Sequence, residues 1–314
     1  MGKPDVLALN AVDVDAMTVG NHEFDFGLDN LLDLKKLADF PFLSSNIVWR
    51  GTRRLLFDPA VSLRVSDRVT MTVIGATTRD LLTTTKPSNV EKIDVLNSLH
   101  TVAERYKTAI RHGPVILLSH SRFATDSLIV TAIPGLTAVI GGHDQILFNP
   151  YRKVGDVPIF QAFEKGEYLG RIDLNVDPHK RKATIVAWKY IPIGAEIAMD
   201  PEVEQIVRSY ASQMDSKFKE VLGENREFLD GERERIRYEE TNLGDWVTDI
   251  MREYTGAEVA LINAGSLRAS IDRGPITVES VLKTMPYANE VLTVDLTGKE
   301  LLQVLTRSVR ATRD

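Results

Sequence analysis

Ala16-Met17-Thr18-Val19-Gly20-Asn21-His22-Glu23-Phe24-Asp25 is a short apolar run that stops abruptly in a polar cluster the run itself does not explain. The theme recurs twice. Val115-Ile116-Leu117-Leu118 runs into Ser119-His120, and Leu136-Thr137-Ala138-Val139-Ile140 runs into Gly141-Gly142-His143. Continuous apolar runs bounded by Gly predict strands covered on both faces, and in such sheets ligand groups collect beyond the carboxyl ends of the strands. Asn21, His22, His120 and His143 are therefore expected at one rim. Val69 to Thr77 and Leu169 to Asn175 are further predicted strands, Leu28 to Leu37 and Val95 to Ile110 carry helical pattern, and residues 1–195 read as one layered α/β domain.

Asp200-Pro201 then offers a helix cap with proline at the first helical position, followed by apolar residues at three-to-four spacing from Val203 to Leu222, with Gly223 as the expected stop. This amphipathic helix over residues 196–224 reads as a segment connecting the two halves or as the first packing helix of the second, and the sequence leaves both open. A smaller α/β unit follows over 225–314, with a helix predicted near Leu243 to Tyr254 and strands at Val259 to Ile262 and Glu290 to Leu296.

A chain of 314 residues is long for one core, which agrees with two units. No apolar run reaches the length of a membrane span, and the start, Met1-Gly2-Lys3-Pro4-Asp5, lacks the apolar core of a signal peptide. The formal net charge of -6 with scattered basic residues argues against a nucleic-acid polymer as partner, while a small anion held by a few Arg stays open. With no cysteine, thiolate metal sites and cysteine nucleophiles are excluded, so any metal must be held by His, Asp, Asn, Glu or Gln. Absence of cysteine fits a reducing or an oxidising compartment alike.

Gly20-Asn21-His22-Glu23 presents an amide oxygen and an imidazole side by side, which suits one metal ligand and one acid or electrostatic catalyst. Asp25, three residues beyond His22, is placed to fix the imidazole tautomer and favour its charged form. The bland alternative is a polar turn with a capping Asn and a surface His. His120 by itself reads equally as a structural histidine at a strand end. In His143-Asp144-Gln145, alternation in an extended segment points His143 and Gln145 to the same side, where two donors can serve neighbouring metal positions. His100, His112 and His179 lie in helical or polar loop contexts and read as solvated.

In this order and spacing the motifs resemble the calcineurin-like metallophosphoesterases: Gly20-Asn21-His22-Glu23-Phe24-Asp25, Ser119-His120 and Gly142-His143-Asp144-Gln145. The second unit narrows the resemblance to 5′-nucleotidases, of the bifunctional nucleotidase and UDP-sugar hydrolase type. It does so through Arg237 ahead of Glu240-Thr241-Asn242-Leu243-Gly244-Asp245, then Asn263-Ala264-Gly265-Ser266-Leu267-Arg268, then Met285-Pro286-Tyr287. The resemblance implies a layered metallophosphoesterase domain, a sheet sandwich flanked by helices, followed by a nucleotide-binding domain. It implies a metal-dependent phosphoric ester hydrolase that converts nucleoside monophosphates to nucleoside and phosphate. By the same resemblance, Asn21, His120 and His143 bind one divalent ion and Gln145 another, and His22 with Asp25 behind it steadies the phosphate. Arg237 and Arg268 would hold the ribose and phosphate side, Asn263 the nucleoside, and Tyr287 would stack on the base. For Arg268 the alternative is a surface ion pair, and for Tyr287 a core aromatic with its hydroxyl at the rim.

The family's opening motifs, an Asp-x-His and a Gly-Asp, should precede Asn21 by several tens of residues, whereas twenty precede it here; Asp5, Asp13 and Asp15 match neither. The second aromatic of the base clamp is likewise expected beyond Asp314. On that reading the chain is cut short at both ends. It would hold at most one zinc- or manganese-like ion, weakly, and hydrolyse AMP poorly or not at all. A non-catalytic nucleotide-binding or interaction protein on the same scaffold, or a related cyclic-nucleotide or nucleotide-sugar phosphohydrolase, are the rival readings. Many relatives are periplasmic, secreted or on the cell surface, so the resemblance leaves compartment open.

Overall fold

The computed structural model describes residues 1–287 and 289–310, apart from the side chains of 213–216. The chain divides into two compact units, Met1–Val207 and Arg208–Asp314. No helix among the described residues is long and apolar enough to cross a membrane.

The first unit opens with α1 (Lys3–Ala11), β1 (Met17–Thr18), α2 (Leu28–Leu37), β2 (Phe42–Leu43), β3 (Ile47–Trp49), β4 (Ala60–Arg64) and β5 (Thr70–Thr77). It continues through α3 (Leu81–Thr84), α4 (Pro87–Val90), β6 (Ile93–Val95), α5 (Ser98–Ala109), β7 (Val115–His120), α6 (Phe123–Ala132), β8 (Ala138–Gly141), β9 (Arg152–Val154) and β10 (Val157–Phe160). A long antiparallel hairpin, β11 (Tyr168–Asp177) and β12 (Lys182–Pro192), follows.

The central sheet has the order β4-β5-β7-β8-β10-β9, with β5, β7, β8 and β10 parallel and the two edge strands antiparallel. Alternation explains how both faces are covered. Ile74, Ala76, Val115, Leu117, Val139 and Ile159 point to one face and pack against Val102 of α5 and Ile129 of α6. Gly75 points to the other, where an added Cβ would lie 2.4 Å from Leu43 Cβ and 2.7 Å from its carbonyl carbon. Only glycine lets β2 approach so closely. A second core, with Phe24, Leu31, Phe42, Ile47 and Ile93 buried, lies among α2, β2, β3 and β6.

A buried polar network joins these layers. Asn46, fully buried, accepts the Thr77 N–H at 2.9 Å and donates to the carbonyls of Thr77 at 2.8 Å and Leu96 at 3.2 Å. The Thr77 hydroxyl donates to the carbonyl of Val19 at 2.7 Å. The last residue of β5 is thereby tied to the residue that precedes Gly20.

α7 (Pro201–Phe218) spans the division between the units. It ends before Gly223, the stop expected from the sequence, because Val221 and Leu222 leave the helix for β13 (Val221–Asn225). That strand pairs antiparallel with β14 (Gly274–Thr277), its register shifting between Val221 and Gly223. The second unit also holds α8 (Arg233–Ile236), α9 (Asn242–Thr255), α10 (Val278–Thr284) and α11 (Gly298–Ser308). Its core gathers Ile236, Leu243, Val247, Leu267, Ile271 and Ile276. Val259 to Ile262 and Glu290 to Leu296, predicted as strands, form no ladder among the described residues, and Val259, Leu261, Leu292 and Val294 are exposed.

Removing the Asn46 amide orphans the Thr77 N–H, the buried Thr77 carbonyl and the part-buried Leu96 carbonyl, and buried unsatisfied groups cost about 1–3 kcal/mol each, offset where water can enter. Asn46→Ala is expected to lower stability by on the order of 3 kcal/mol in urea unfolding; a loss of only a few tenths would remove the network from the fold's main supports.

Candidate functional site

The carboxyl ends of β5 and β7 lie side by side, Thr77 registering with His120, and Thr78 N–H donates to the His120 carbonyl at 2.8 Å. Ser119 registers with Gly141 at the end of β8, so the turn carrying His143 begins at the same rim. Asn21 starts a short 3-10 turn over His22–Phe24 directly after Gly20. These elements bring three of the expected ligands together. His120 Nε2 lies 3.0 Å from Asn21 Oδ1 and 3.3 Å from His143 Nδ1.

That geometry is compatible with a cation as well as with hydrogen bonding. A ring nitrogen carries one proton or one lone pair, so His120 Nε2 can satisfy only one of its two neighbours directly. Ligand atoms about 2.0–2.1 Å from a zinc-type ion sit about 3.3 Å apart in a tetrahedron and about 3 Å apart in an octahedron. The observed 3.0 and 3.3 Å match such edges. Burial lowers the His120 pKa to about 4, the nearby His143 and His22 adding to the effect, so the ring is neutral. Burial and then Arg122 lower that of His143, against the opposing pull of Asp144 and Asp80. Neutral imidazole is the form that ligates metals. Among the described residues no group of three or more His, Cys, Asp and Glu that could hold a metal ion is present, so any ion here would depend on the Asn21 amide beside the two imidazoles.

His22 Nδ1 stands 2.9 Å from Asp25 Oδ2, the pairing expected from the sequence. Its ring contributes to the electrostatics at His120. Glu23, between them, acts on the backbone instead. Its carboxylate accepts the Gly20 N–H at 2.6 Å, and burial raises its pKa. Gln145 departs from expectation. His143 and Asp144 form a turn, Gln145 adopts a left-handed φ of 57°, and its N–H reaches back to the Gly142 carbonyl at 3.4 Å. The segment is not extended, so alternation does not apply to it.

Several polar residues at this rim were missed from the sequence. Asp80, beyond β5, accepts from Arg122 Nε at 2.8 Å and lies 3.7 Å from His143 Nε2. Asp144 accepts the Phe123 N–H at 2.6 Å at the start of α6. Ser119 donates at 2.6 Å to Asp126, whose pKa burial pushes up to about 7. Asp80 carried the same signal that exposed His120, a polar residue just past a strand.

In the second unit, Arg237 caps the end of α8 and Asn263 opens a 3-10 turn over Ala264–Ser266. They flank Gly265: a Cβ there would lie 2.9 Å from Asn263 Oδ1 and 3.9 Å from Arg237 Nη2. Arg268 N–H donates to the Thr284 carbonyl at 2.8 Å, joining its loop to the end of α10, three residues before Tyr287.

The His120 ring rests on Gly20, where an added Cβ would meet three of its atoms at 2.7–2.8 Å. Gly20→Ala should therefore displace the imidazole and cost about 1–3 kcal/mol, as overpacking does. NMR should show shifted His120 ring resonances; an unchanged ring spectrum would mean that it does not depend on this glycine.

Residues 220–314 match the model of the 5′-nucleotidase C-terminal domain. The chain is 30% identical to the trifunctional nucleotide phosphoesterase protein of Bacillus subtilis, over 98% of this chain and 24% of that protein. The crystal structure of a 5′-nucleotidase precursor from Thermus thermophilus superposes with a TM-score of 0.82 at 28% identity, over 98% of this chain and 65% of that one. A calcineurin-like phosphoesterase from B. subtilis shares the fold with a TM-score of 0.58 at 22% identity, over 67% of this chain and 73% of that one. The chain thus spans less than two thirds of the length of the first two. Family model, sequence relatives and fold agree, and the chain belongs to the 5′-nucleotidase family of the calcineurin-like phosphoesterases.

Proposed function

We propose that the protein hydrolyses phosphoric esters of nucleotides, releasing phosphate from nucleoside monophosphates with the help of a divalent metal ion. The observation that carries this reading is the approach of Asn21 Oδ1 and His143 Nδ1 to His120 Nε2, at 3.0 and 3.3 Å, beside the His22–Asp25 pair. An ion held by these donors would supply Lewis-acid polarisation of a phosphoryl oxygen. Two imidazoles and an amide bring no negative charge, which favours zinc-like over magnesium-like ions and keeps binding weaker than at a carboxylate-bridged pair.

The chain's own groups account for the remainder. Asp25 accepts from His22 Nδ1–H and orients the ring, which in its protonated form would donate from Nε2 to a phosphoryl oxygen as charge grows there. Water adds to phosphorus, the ester P–O bond breaks in line with it, and the departing nucleoside oxygen takes up a proton. In the second unit, the guanidinium forks of Arg237 and Arg268 suit oxyanions, Asn263 suits the nucleoside, and the ring of Tyr287 suits a base.

Phosphate release from AMP, UDP-glucose and cyclic nucleotides should be greatest with AMP and should fall on chelation. His22→Ala should lower kcat by about 10²–10³-fold, the cost of losing one donor to the transition state. Turnover of AMP indifferent to both chelator and His22 would refute the reading.

Tyr287→Ala should weaken nucleoside binding by about one to two powers of ten, from a stacking contribution of about 1–3 kcal/mol, with metal affinity unchanged. Equal nucleoside affinity in equilibrium binding would remove Tyr287 from the site.

A further inference from the structure

His143 faces different partners with its two ring nitrogens. Nδ1 is turned to His120 Nε2 at 3.3 Å, whereas Nε2 is turned to Asp80 Oδ2 at 3.7 Å. Asp80 is held in place independently of His143. Its carboxylate accepts from Arg122 Nε at 2.8 Å, its N–H donates to Thr78 Oγ1 at 3.1 Å, and its carbonyl accepts from the hydroxyls of Thr83 at 3.0 Å and Thr84 at 2.8 Å. It therefore presents a fixed acceptor to a ring that is itself largely buried, its side chain 13% exposed.

An ionised carboxylate only accepts, and the tautomer of a neutral imidazole is set by which nitrogen meets an acceptor. The carboxylate selects the form with the proton on Nε2. The lone pair is then left on Nδ1, on the side of Asn21 and His120. At 3.7 Å the contact is longer than a hydrogen bond, but a movement of under about 1 Å by the ring closes it.

We propose that Asp80 is a positioning residue that holds His143 as the Nε2–H tautomer, so that its Nδ1 lone pair is available to a divalent cation between Asn21 and His120. The use made of that lone pair rests on the metal-dependent reading above; the tautomer itself does not. Carboxylate partners behind metal-binding imidazoles alter metal affinity by about 10–100-fold when removed.

The test uses the 314-residue chain with and without zinc. In the metal-free protein, ¹⁵N spectra of the imidazoles should show His143 protonated on Nε2, and Asp80→Ala should give a mixture of tautomers or the reverse one. Zinc affinity, measured by chelator competition, should fall by about 10–100-fold in Asp80→Ala. Asp80→Glu should restore part of both, and Arg122→Ala should leave the His143 tautomer in place. A wild-type His143 protonated on Nδ1, or an Asp80→Ala protein with the wild-type tautomer, would overturn the proposal. So would an Arg122→Ala tautomer change equal to that of Asp80→Ala, since the ion pair and not the carboxylate would then be setting the ring. If the wild-type chain binds no zinc, the metal-dependent reading falls, and the metal-free spectra still decide the role of Asp80.

Discussion

The hydrogen bond from the Thr77 hydroxyl to the Val19 carbonyl is the constraint on which the rim depends. β1, which leads into Gly20 and Asn21, pairs with β2 over only two residues, Met17 with Phe42 and Thr18 with Leu43. So short a ladder is marginal by itself. Thr77, by contrast, belongs to the central sheet and registers with His120. Its hydroxyl reaches across to Val19 at 2.7 Å while Asn46 saturates its backbone N–H and carbonyl. In a low-dielectric interior a polar network of this kind is strong when every member is satisfied and costly when one is not. The separation of Asn21 from His120 is consequently inherited from the central sheet and the network at its edge.

The fold class and the rim were legible because their signals are local. An apolar run that ends in an unexplained polar residue located β7 with His120 and β8 with the turn to His143, and helical spacing located α2 and α9 closely. What failed were features that depend on a second segment. Val259 to Ile262 and Glu290 to Leu296 have strand composition, but a strand exists only through a partner, and composition reports packing preference rather than pairing. Gly223 looked like a helix stop; β14 instead draws Val221 and Gly223 into an irregular antiparallel ladder, a place where glycine is common. α1 escaped notice because its apolar residues do not form one stripe and only Val6 is buried, although Pro4 in its first turn was a usable signal. The His143 to Gln145 alternation failed for a torsional reason, the left-handed backbone at Gln145, which no period-two pattern reveals. Of the residues in the second unit, Arg237 and Asn263 meet around Gly265, a juxtaposition set by loop geometry rather than by any periodicity.

The carboxylates around the rim show how burial divides labour among groups of the same type. Glu23 and Asp126 are withdrawn from water, and burial raises the pKa of each. A charge so placed is costly unless a donor meets it. Each has one, the Gly20 N–H for Glu23 and the Ser119 hydroxyl for Asp126, and each uses its acceptor capacity to hold a residue next to the neighbouring imidazole or amide. Asp25 and Asp80 are more open, their side chains 19% and 39% exposed. Both meet imidazoles, Asp25 at His22 Nδ1 and Asp80 toward His143 Nε2, on opposite ring nitrogens. That opposition matters chemically. A carboxylate at Nδ1 leaves Nε2 of His22 to act outward, whereas a carboxylate at Nε2 leaves Nδ1 of His143 to act inward beside His120. One residue type, placed against different nitrogens, thus leaves a different ring nitrogen of each histidine for other partners.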